Sequence, residues 1–379
     1  MRVLNVVGAR PNFVKIAPLL REMRRHAAIV PLLVHTGQHY GGRMSDPFFA
    51  DLEIRSPDFD LGVGSGSHAA QTAEVMRRLE PVIEAVRPDV MIVVGDVNST
   101  LAAAITAAKL GVTIAHVEAG LRSFDRSMPE EINRRLTDAV ADLLFVTEES
   151  ARDNLVREGV EPERIHFVGN VMIDALEIFR PRWEAAPICT RLGLATGQPY
   201  AVLTLHRPAN VDDPGVLMNL LDALHELARQ LPILFPVHPR VAQRLASQGY
   251  PLANLAEPGE PVPGKGITYL EPLGYLDFIA LMSRARAVLT DSGGIQEETT
   301  ILGVPCLTLR DNTERPVTVT NGTNRIIGTD PARIVTEALR TLNDPPSADR
   351  APALWDGHAA GRIVRVLLER QGHRATSTT

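Results

Sequence analysis

The stretch from Ala287 to Leu309 constrains the fold more than any other part of the sequence. A short apolar run (Ala287-Val288-Leu289-Thr290) meets a tight turn (Asp291-Ser292-Gly293-Gly294). Ile295 to Gly303 follows at helical spacing, and then a second apolar run, Val304-Pro305-Cys306-Leu307-Thr308-Leu309. This reads as strand, glycine turn, helix, strand, the repeating unit of a parallel sheet. Two adjacent glycines after a serine leave backbone N–H groups uncovered at a helix N-terminus, where the unpaired donors and the helix dipole favour a phosphate. Glu298 follows Ile295 by three residues and precedes Leu302 by four, so it shares their inward face. A carboxylate there needs a polar partner, and a ribose diol beside a bound phosphate supplies one, as in dinucleotide sites. The competing reading is an ordinary glycine turn followed by a half-exposed glutamate.

The same alternation runs through the whole chain, whose 379 residues suit two domains better than one. Strands are expected at Arg2–Val7, Val30–Thr36, Asp89–Val94, Thr113–Val117, Leu143–Thr147 and Ile165–Val168. Helices fall between them near 13–23, 44–52, 71–86, 101–109, 130–141 and 149–158. The wholly apolar Val90–Val94 is the kind of strand buried on both faces of a parallel sheet. A helix from about Met172 leads into a stretch holding Pro181, Pro187 and Pro199, read as a hinge. A second series follows: strands Tyr200–Leu205, Ile233–Val237 and Ile267–Leu270, helices 215–230, 240–247 and 275–283, a Pro/Gly-rich loop 251–266, and the glycine-turn stretch itself. Helices at 332–342 and 357–369 close the chain. The domain boundaries expected are 1–172 and 173–379.

Charge and cysteines narrow the function classes. A net charge of −6 and a pI near 6.0 give no basic footprint for nucleic acid. Cys189 and Cys306 fit no metal spacing, and Cys306 within an apolar run reads as a reduced core residue, which points to the cytoplasm. No apolar stretch reaches membrane-spanning length and no leader is apparent. No metal and no cofactor is expected.

Open parallel sheets bind ligands at the carboxyl ends of their strands. Standing there are Arg10, with Lys15 one turn into the next helix; Gly95-Asp96; Glu118 after His116-Val117; His206-Arg207; and Asp291-Ser292. Asp96 and Glu118 follow successive strands, so both carboxylates are expected to open into one cleft. With His206 and the cations they are the parts needed to move protons beside a leaving phosphate. Each has a plainer reading. Asp96 could cap the helix starting near Asn98. His116 reads as a buried structural histidine, or with Glu118 as a metal pair that lacks a third ligand. Ser127-Met128-Pro129-Glu130 reads as a capping box, with Arg134 at i+4, which makes Glu130 structural on spacing alone. Asn312-Thr313-Glu314-Arg315-Pro316 follows a strand directly, placing Arg315 beside the phosphate turn.

Seven motifs occur in one order: Gly8-Ala9-Arg10-Pro11-Asn12-Phe13-Val14-Lys15, Gly95-Asp96-Val97-Asn98-Ser99-Thr100, His116-Val117-Glu118-Ala119-Gly120-Leu121-Arg122, Met128-Pro129-Glu130-Glu131-Ile132-Asn133-Arg134, Thr204-Leu205-His206-Arg207-Pro208-Ala209-Asn210, Asp291-Ser292-Gly293-Gly294-Ile295-Gln296-Glu297-Glu298 and Thr313-Glu314-Arg315-Pro316. Together they resemble the non-hydrolysing UDP-N-acetylglucosamine 2-epimerases, from Arg2 to about Gly328. The resemblance implies an α/β protein of GT-B type, two Rossmann-like doubly wound domains facing a cleft, with the last helix packed back on the first domain. It implies a UDP-sugar substrate, no cofactor, a homodimer and a place in cell-surface polysaccharide biosynthesis. Position by position it gives Asp96, Glu118, Glu130 and His206 as acid–base groups, with Arg10, Lys15 and Arg134 around the sugar and diphosphate. Phe278, Ser292, Gly293, Gly294, Glu298 and Arg315 become nucleotide contacts, and Glu130 is thereby revised from a purely structural residue.

The chemistry implied is inversion at C2 by elimination of UDP to 2-acetamidoglucal and re-addition, because the C2 hydrogen has no neighbouring carbonyl to stabilise a carbanion. One segment departs from the bacterial pattern. Gln38-His39 is followed by Tyr40-Gly41-Gly42-Arg43-Met44-Ser45-Asp46 rather than Arg-Glu-Met, as in archaeal-type members and those acting on diacetamido-uronic sugar nucleotides. A 2-epimerase for a UDP-diacetamido-uronic acid and a GT-B UDP-sugar glycosyltransferase are the alternatives.

Overall fold

The computed structural model describes residues 1–37, 46–249, 262–346 and 351–376, with 46–48 and 373–376 as backbone only. The segment after Gln38 and most of the expected 251–266 loop lie outside the described residues. The chain forms two units: Met1–Ile178 with Ala353–Thr379, and Phe179–Pro352.

The first unit is built on strands β1 (Arg2–Val7), β2 (Val30–His35), β3 (Phe59–Asp60), β4 (Val90–Val94), β5 (Thr113–Ala119), β6 (Leu143–Val146) and β7 (Ile165–Phe167). They lie in the order β3-β2-β1-β4-β5-β6-β7, with every pairing parallel. β4 and β5 are buried at every position, as central strands covered by helices on both faces must be. Leu4, Val6, Met91, Val93, Ile114 and Leu144 form the middle of the core. The chain reverses direction across the sheet between β1 and β4, and that switch point opens a crevice at the strand ends. The C-terminal segment belongs to this unit. Asp174 accepts the Ala359 and Ala360 amides at 3.0 and 2.7 Å, and Trp355 Nε1 donates to the Thr147 carbonyl at 2.9 Å. Gly169, at φ +86°, leaves no room for a Cβ beside the Leu354 carbonyl.

The second unit repeats the plan with β8 (Ala201–Thr204), β9 (Ile233–Pro236), β10 (Ile267–Leu270), β11 (Ala287–Thr290), β12 (Cys306–Thr308) and β13 (Asn324–Ile326), ordered β10-β9-β8-β11-β12-β13 and again parallel throughout. Leu203, Phe235, Leu289 and Leu307 pack under Leu220, Leu224 and Ile334. Its switch point lies between β8 and β11. Burial pushes the Cys306 thiol up to about 12, and both cysteines are free. No helix among the described residues is long and apolar enough to cross a membrane.

Several local expectations need correction. The proline-rich hinge contains helices Arg180–Glu184 and Ile188–Arg191, and Trp183 and Ile188 are buried. Pro181 sits in the first turn of its helix, where its missing N–H costs nothing. Ser127 makes no capping box: the N-cap is Met128, without a side-chain cap, and Ser127 Oγ donates to Asp125 at 2.6 Å. Asp96 is not the N-cap either, since Val97 holds that position of the helix Asn98–Lys109, without a side-chain cap.

Candidate active site

The first unit gathers its polar groups around the β1/β4 switch point. Asn12 fixes the turn after β1, accepting the Gly8 and Ala9 amides at 3.2 and 3.0 Å and donating to the Val94 carbonyl at 3.0 Å. The helix Arg10–Met23 then starts at the turn with Pro11 near its first position. Arg10 opens that helix, and desolvation lowers its pKa. One turn on, buried Lys15 pairs with buried Glu118. Two backbone features allow this contact. Gly95 has φ +68°, and a Cβ there would stand 3.0 Å from Lys15 Nζ. Glu118 has φ +73°, at a register shift of β5 against β6 between Val117 and Ala119. A non-glycine residue in that region is strained, and such strain gathers at functional sites. Glu118 is engaged by Lys15 and both ring nitrogens of His116 by other groups, so the two are not arranged as the metal pair considered from sequence. His116 is buried against Asp138 and the Gly95 carbonyl, as the structural reading expected.

Asp96 follows β4 after Gly95 and pairs with Arg134 Nη1 at 2.5 Å. Arg134 is buried, and its Nη2 also contacts Glu131 Oε2 at 2.7 Å. Burial opposes ionisation of Glu131, but the Ser123 amide and Arg134 outweigh it and hold the carboxyl below its usual range. Glu131 is therefore a fixed anion that orients Arg134. Its neighbour Glu130 is half-buried in the first turn of the same helix, Pro129–Val140.

The second unit builds its site around the β8/β11 switch point. Buried Asp291 faces His206 Nδ1 at 3.0 Å and accepts the His206 and Arg207 amides at 3.0 and 2.9 Å. Burial raises the cost of its charge, yet His206 and the amides hold its pKa low. An ionised Asp291 accepts a hydrogen bond from His206 Nδ1–H, which leaves Nε2 as the working nitrogen of His206. Ser292 is the N-cap of the helix Gly293–Leu302 and makes no side-chain cap, so the Gly293 and Gly294 amides keep the open arrangement suited to phosphate. Arg315 lies over this turn: a Cβ on Gly293 would overlap its guanidinium. The guanidinium is fixed by Glu297 at 2.6 Å and flanked by Glu314 at 3.5 Å.

Glu298 is buried as its helical position predicts, one of its oxygens, Oε1, has no hydrogen-bond partner, and the Tyr275 side chain faces it. Burial, helped by the neighbouring Glu297 charge, pushes its pKa up to about 8. Phe278 is half-buried three residues after Tyr275, on the same face of the helix Tyr275–Ser283.

The fold thus groups Lys15, Asp96, Glu118 and Arg134 in the first unit. It groups His206, Ser292, Gly293, Gly294 and Arg315 in the second. Sequence reasoning missed the partners: Asp291 for His206, Glu297 for Arg315, and Glu131 for Arg134. Only Glu131 left a signal, three residues before Arg134 on one helix face. Among the described residues no group of three His, Cys, Asp or Glu side chains is placed to hold a metal.

The model of the UDP-N-acetylglucosamine 2-epimerase family matches residues 21–368. A UDP-N-acetylglucosamine 2-epimerase of Methanococcus maripaludis is 40% identical over 372 residues, covering 96% of this chain and 97% of the relative. A UDP-2,3-diacetamido-2,3-dideoxy-D-glucuronate 2-epimerase of Pseudomonas aeruginosa is also 40% identical, over 97% of this chain and 99% of its own. The crystal structure of the Methanocaldococcus jannaschii UDP-GlcNAc 2-epimerase in complex with UDP-GlcNAc and UDP superposes with a TM-score of 0.89 at 39% identity, over 97% of this chain and all of that one. The two parallel-sheet units are those of a GT-B protein. A family model spanning most of the chain, matching relatives and a matching fold lead to one conclusion: the chain belongs to the UDP-N-acetylglucosamine 2-epimerase family.

Proposed function

We propose that the protein inverts C2 of a UDP-2-acetamido sugar, UDP-N-acetylglucosamine first, without hydrolysing it. The observation that carries this reading is the pair of carboxylates at the ends of β4 and β5, each held by its own cation: Asp96 by Arg134 and Glu118 by Lys15. Inversion by elimination needs one group to remove the C2 proton and another to return a proton on the opposite face. It also needs cations and amides to receive the departing diphosphate. Arg10, Lys15 and Arg315 with the Ser292–Gly294 turn serve the diphosphate. Glu298 and Phe278 serve the nucleoside.

In the forward half, a base takes the C2 proton, the C2–H electrons form the C1=C2 bond, and the C1–O bond breaks with UDP leaving. The neutral intermediate is 2-acetamidoglucal, planar at C2. In the return half, the UDP oxygen adds back to C1 and an acid protonates C2 from the other face. Asp96, Glu118, Glu130 and His206 are the acid and base candidates, and Asp291 makes His206 Nε2 able to hold or release a proton.

The route is tested with substrate carrying ¹⁸O in the bond between C1 and the β-phosphorus. Movement of the label to non-bridging positions in recovered substrate requires C1–O cleavage, and a label that stays in place while C2 inverts contradicts elimination. The equal identity to the diacetamido-uronate enzyme supports a site that admits substituents at C3 and C6. A cytoplasmic setting agrees with the two free cysteines. Homodimer formation is supported by Ile132 and Leu136, exposed one turn apart on the helix Pro129–Val140. A monomer by sedimentation at micromolar concentration contradicts it.

A further inference from the structure

Asp138 stands in the third turn of the helix Pro129–Val140, 1% exposed, and has no part in the chemistry above. Its Oδ1 faces His116 Nδ1 at 2.6 Å. Its Oδ2 accepts the Gly120 amide at 3.0 Å and pairs with Arg122 Nη2 at 2.7 Å. The other nitrogen of His116, Nε2, lies 2.9 Å from the carbonyl of Gly95, the residue before Asp96. Both partners of the ring are acceptors, a carboxylate on one side and a backbone carbonyl on the other. Arg122 runs on to Glu158, whose side chain is 28% exposed and ends the line of charges at the surface.

Stability alone does not account for this arrangement. Taking an aspartate, a histidine and an arginine out of water is costly, and apolar replacements of such clusters are often as stable or more so. The arrangement is specific in a different respect. Gly95 donates its own N–H to the Val117 carbonyl at 3.1 Å, so the turn that presents Asp96 and the strand end that presents Glu118 are tied to each other. Asp138 holds both: the turn through His116, and the strand end through Gly120 and Arg122. It does so from the helix that carries Glu130 and Arg134.

We infer that Asp138 is a positioning residue, which acts through His116, Gly120 and Arg122 to fix the Asp96 and Glu118 carboxylates relative to one another. The inference rests on the epimerase reading and adds to it a residue that touches no substrate. Positioning of this kind affects the transition state more than ground-state binding, and small displacements of reacting groups are costly in rate.

The test compares wild type, Asp138→Asn and Glu158→Gln for epimerisation of UDP-N-acetylglucosamine and for UDP affinity. Asparagine keeps the shape but cannot accept hydrogen bonds on both atoms. The expected result for Asp138→Asn is a kcat at least about tenfold lower, with KM and the UDP Kd within about threefold of wild type. Glu158→Gln, which alters Arg122 only from the surface, should keep wild-type kcat. An Asp138→Asn enzyme with wild-type kcat overturns the inference, as does an equal loss in Glu158→Gln. If Asp138→Asn does not fold, His116→Gln carries the test, because glutamine still donates to Gly95 but breaks the link to Asp138. The same kcat loss at unchanged KM supports the inference, and unchanged kcat overturns it. A wild-type protein that turns over no UDP-2-acetamido sugar refutes the epimerase reading instead, which keeps the two failures distinct.

Discussion

His206 Nδ1 and Asp291 Oδ1 stand 3.0 Å apart, and the same carboxylate accepts the backbone N–H groups of His206 and Arg207. One buried anion thus sets both the ring orientation of His206 and the path of the loop that carries it. Asp291→Asn keeps the size of the side chain but offers a single acceptor oxygen and no charge. The ring is then free to take the other tautomer. Turnover should fall by at least about a hundredfold while UDP still binds. Kinetics paired with UDP calorimetry check this, and near-normal kcat would show that Asp291 does not govern His206.

Asp96 is engaged by Arg134 and keeps a side chain about a quarter exposed (23%), so it is both held and accessible. Asp96→Asn is expected to retain UDP binding, since the proposed site gives Asp96 no contact with UDP, and to lose at least about a hundredfold in turnover. A variant within twofold of wild type removes Asp96 from the mechanism.

Glu298 gives the fold a pH dependence of unusual sign. Its pKa rises from 4.5 to about 8 in the folded chain. Between those values the native state holds a proton that the unfolded state has released, so this group's contribution to stability declines as pH rises through that window. Glu298→Gln removes the titration. Thermal melts from pH 5 to 8 should therefore fall less steeply for the variant than for wild type. Parallel curves would mean that Glu298 ionises normally. Since Glu298 serves the nucleoside in the proposed site, UDP affinity should fall in the same variant.

A methyl group at position 293 would occupy the space of the Arg315 guanidinium. Gly293→Ala should push Arg315 off the phosphate turn with the helix intact, weakening UDP binding about tenfold, the scale of one charge-assisted hydrogen bond. Arg315→Ala should weaken it to a similar degree. Unchanged UDP affinity in Gly293→Ala contradicts a diphosphate role for the turn.

How much of this was legible in the sequence depended on how local the signal is. Ile267–Leu270, Tyr275–Ser283 and Ala287–Thr290 were placed to the residue, because each is an unbroken apolar or amphipathic run bounded by turn residues. β3 and β13 were missed. β3 has only two residues, and β13 has three, with the buried Asn324 held by Thr308, Gln296 and Thr318 rather than by an apolar side chain. The helix Asn98–Lys109 begins three residues before the apolar pattern does, since Asn98, Ser99 and Thr100 are polar yet buried. The inward glutamate at 298 followed from helical spacing alone. The clamps at Asp138 and Asp291 could not be foreseen, because their partners are 22 and 85 residues away and meet them only through strand order.

The central claim is that C2 loses and regains a proton while UDP leaves and returns. It is tested most directly by a proton NMR time course of the purified protein with UDP-N-acetylglucosamine in D₂O, without added nicotinamide cofactor or metal. The account predicts a growing UDP-N-acetylmannosamine signal with deuterium at C2, and the same exchange on the diacetamido-uronic sugar nucleotide if that is the preferred substrate. Inversion with the C2 proton retained, or silence on both substrates, would contradict it.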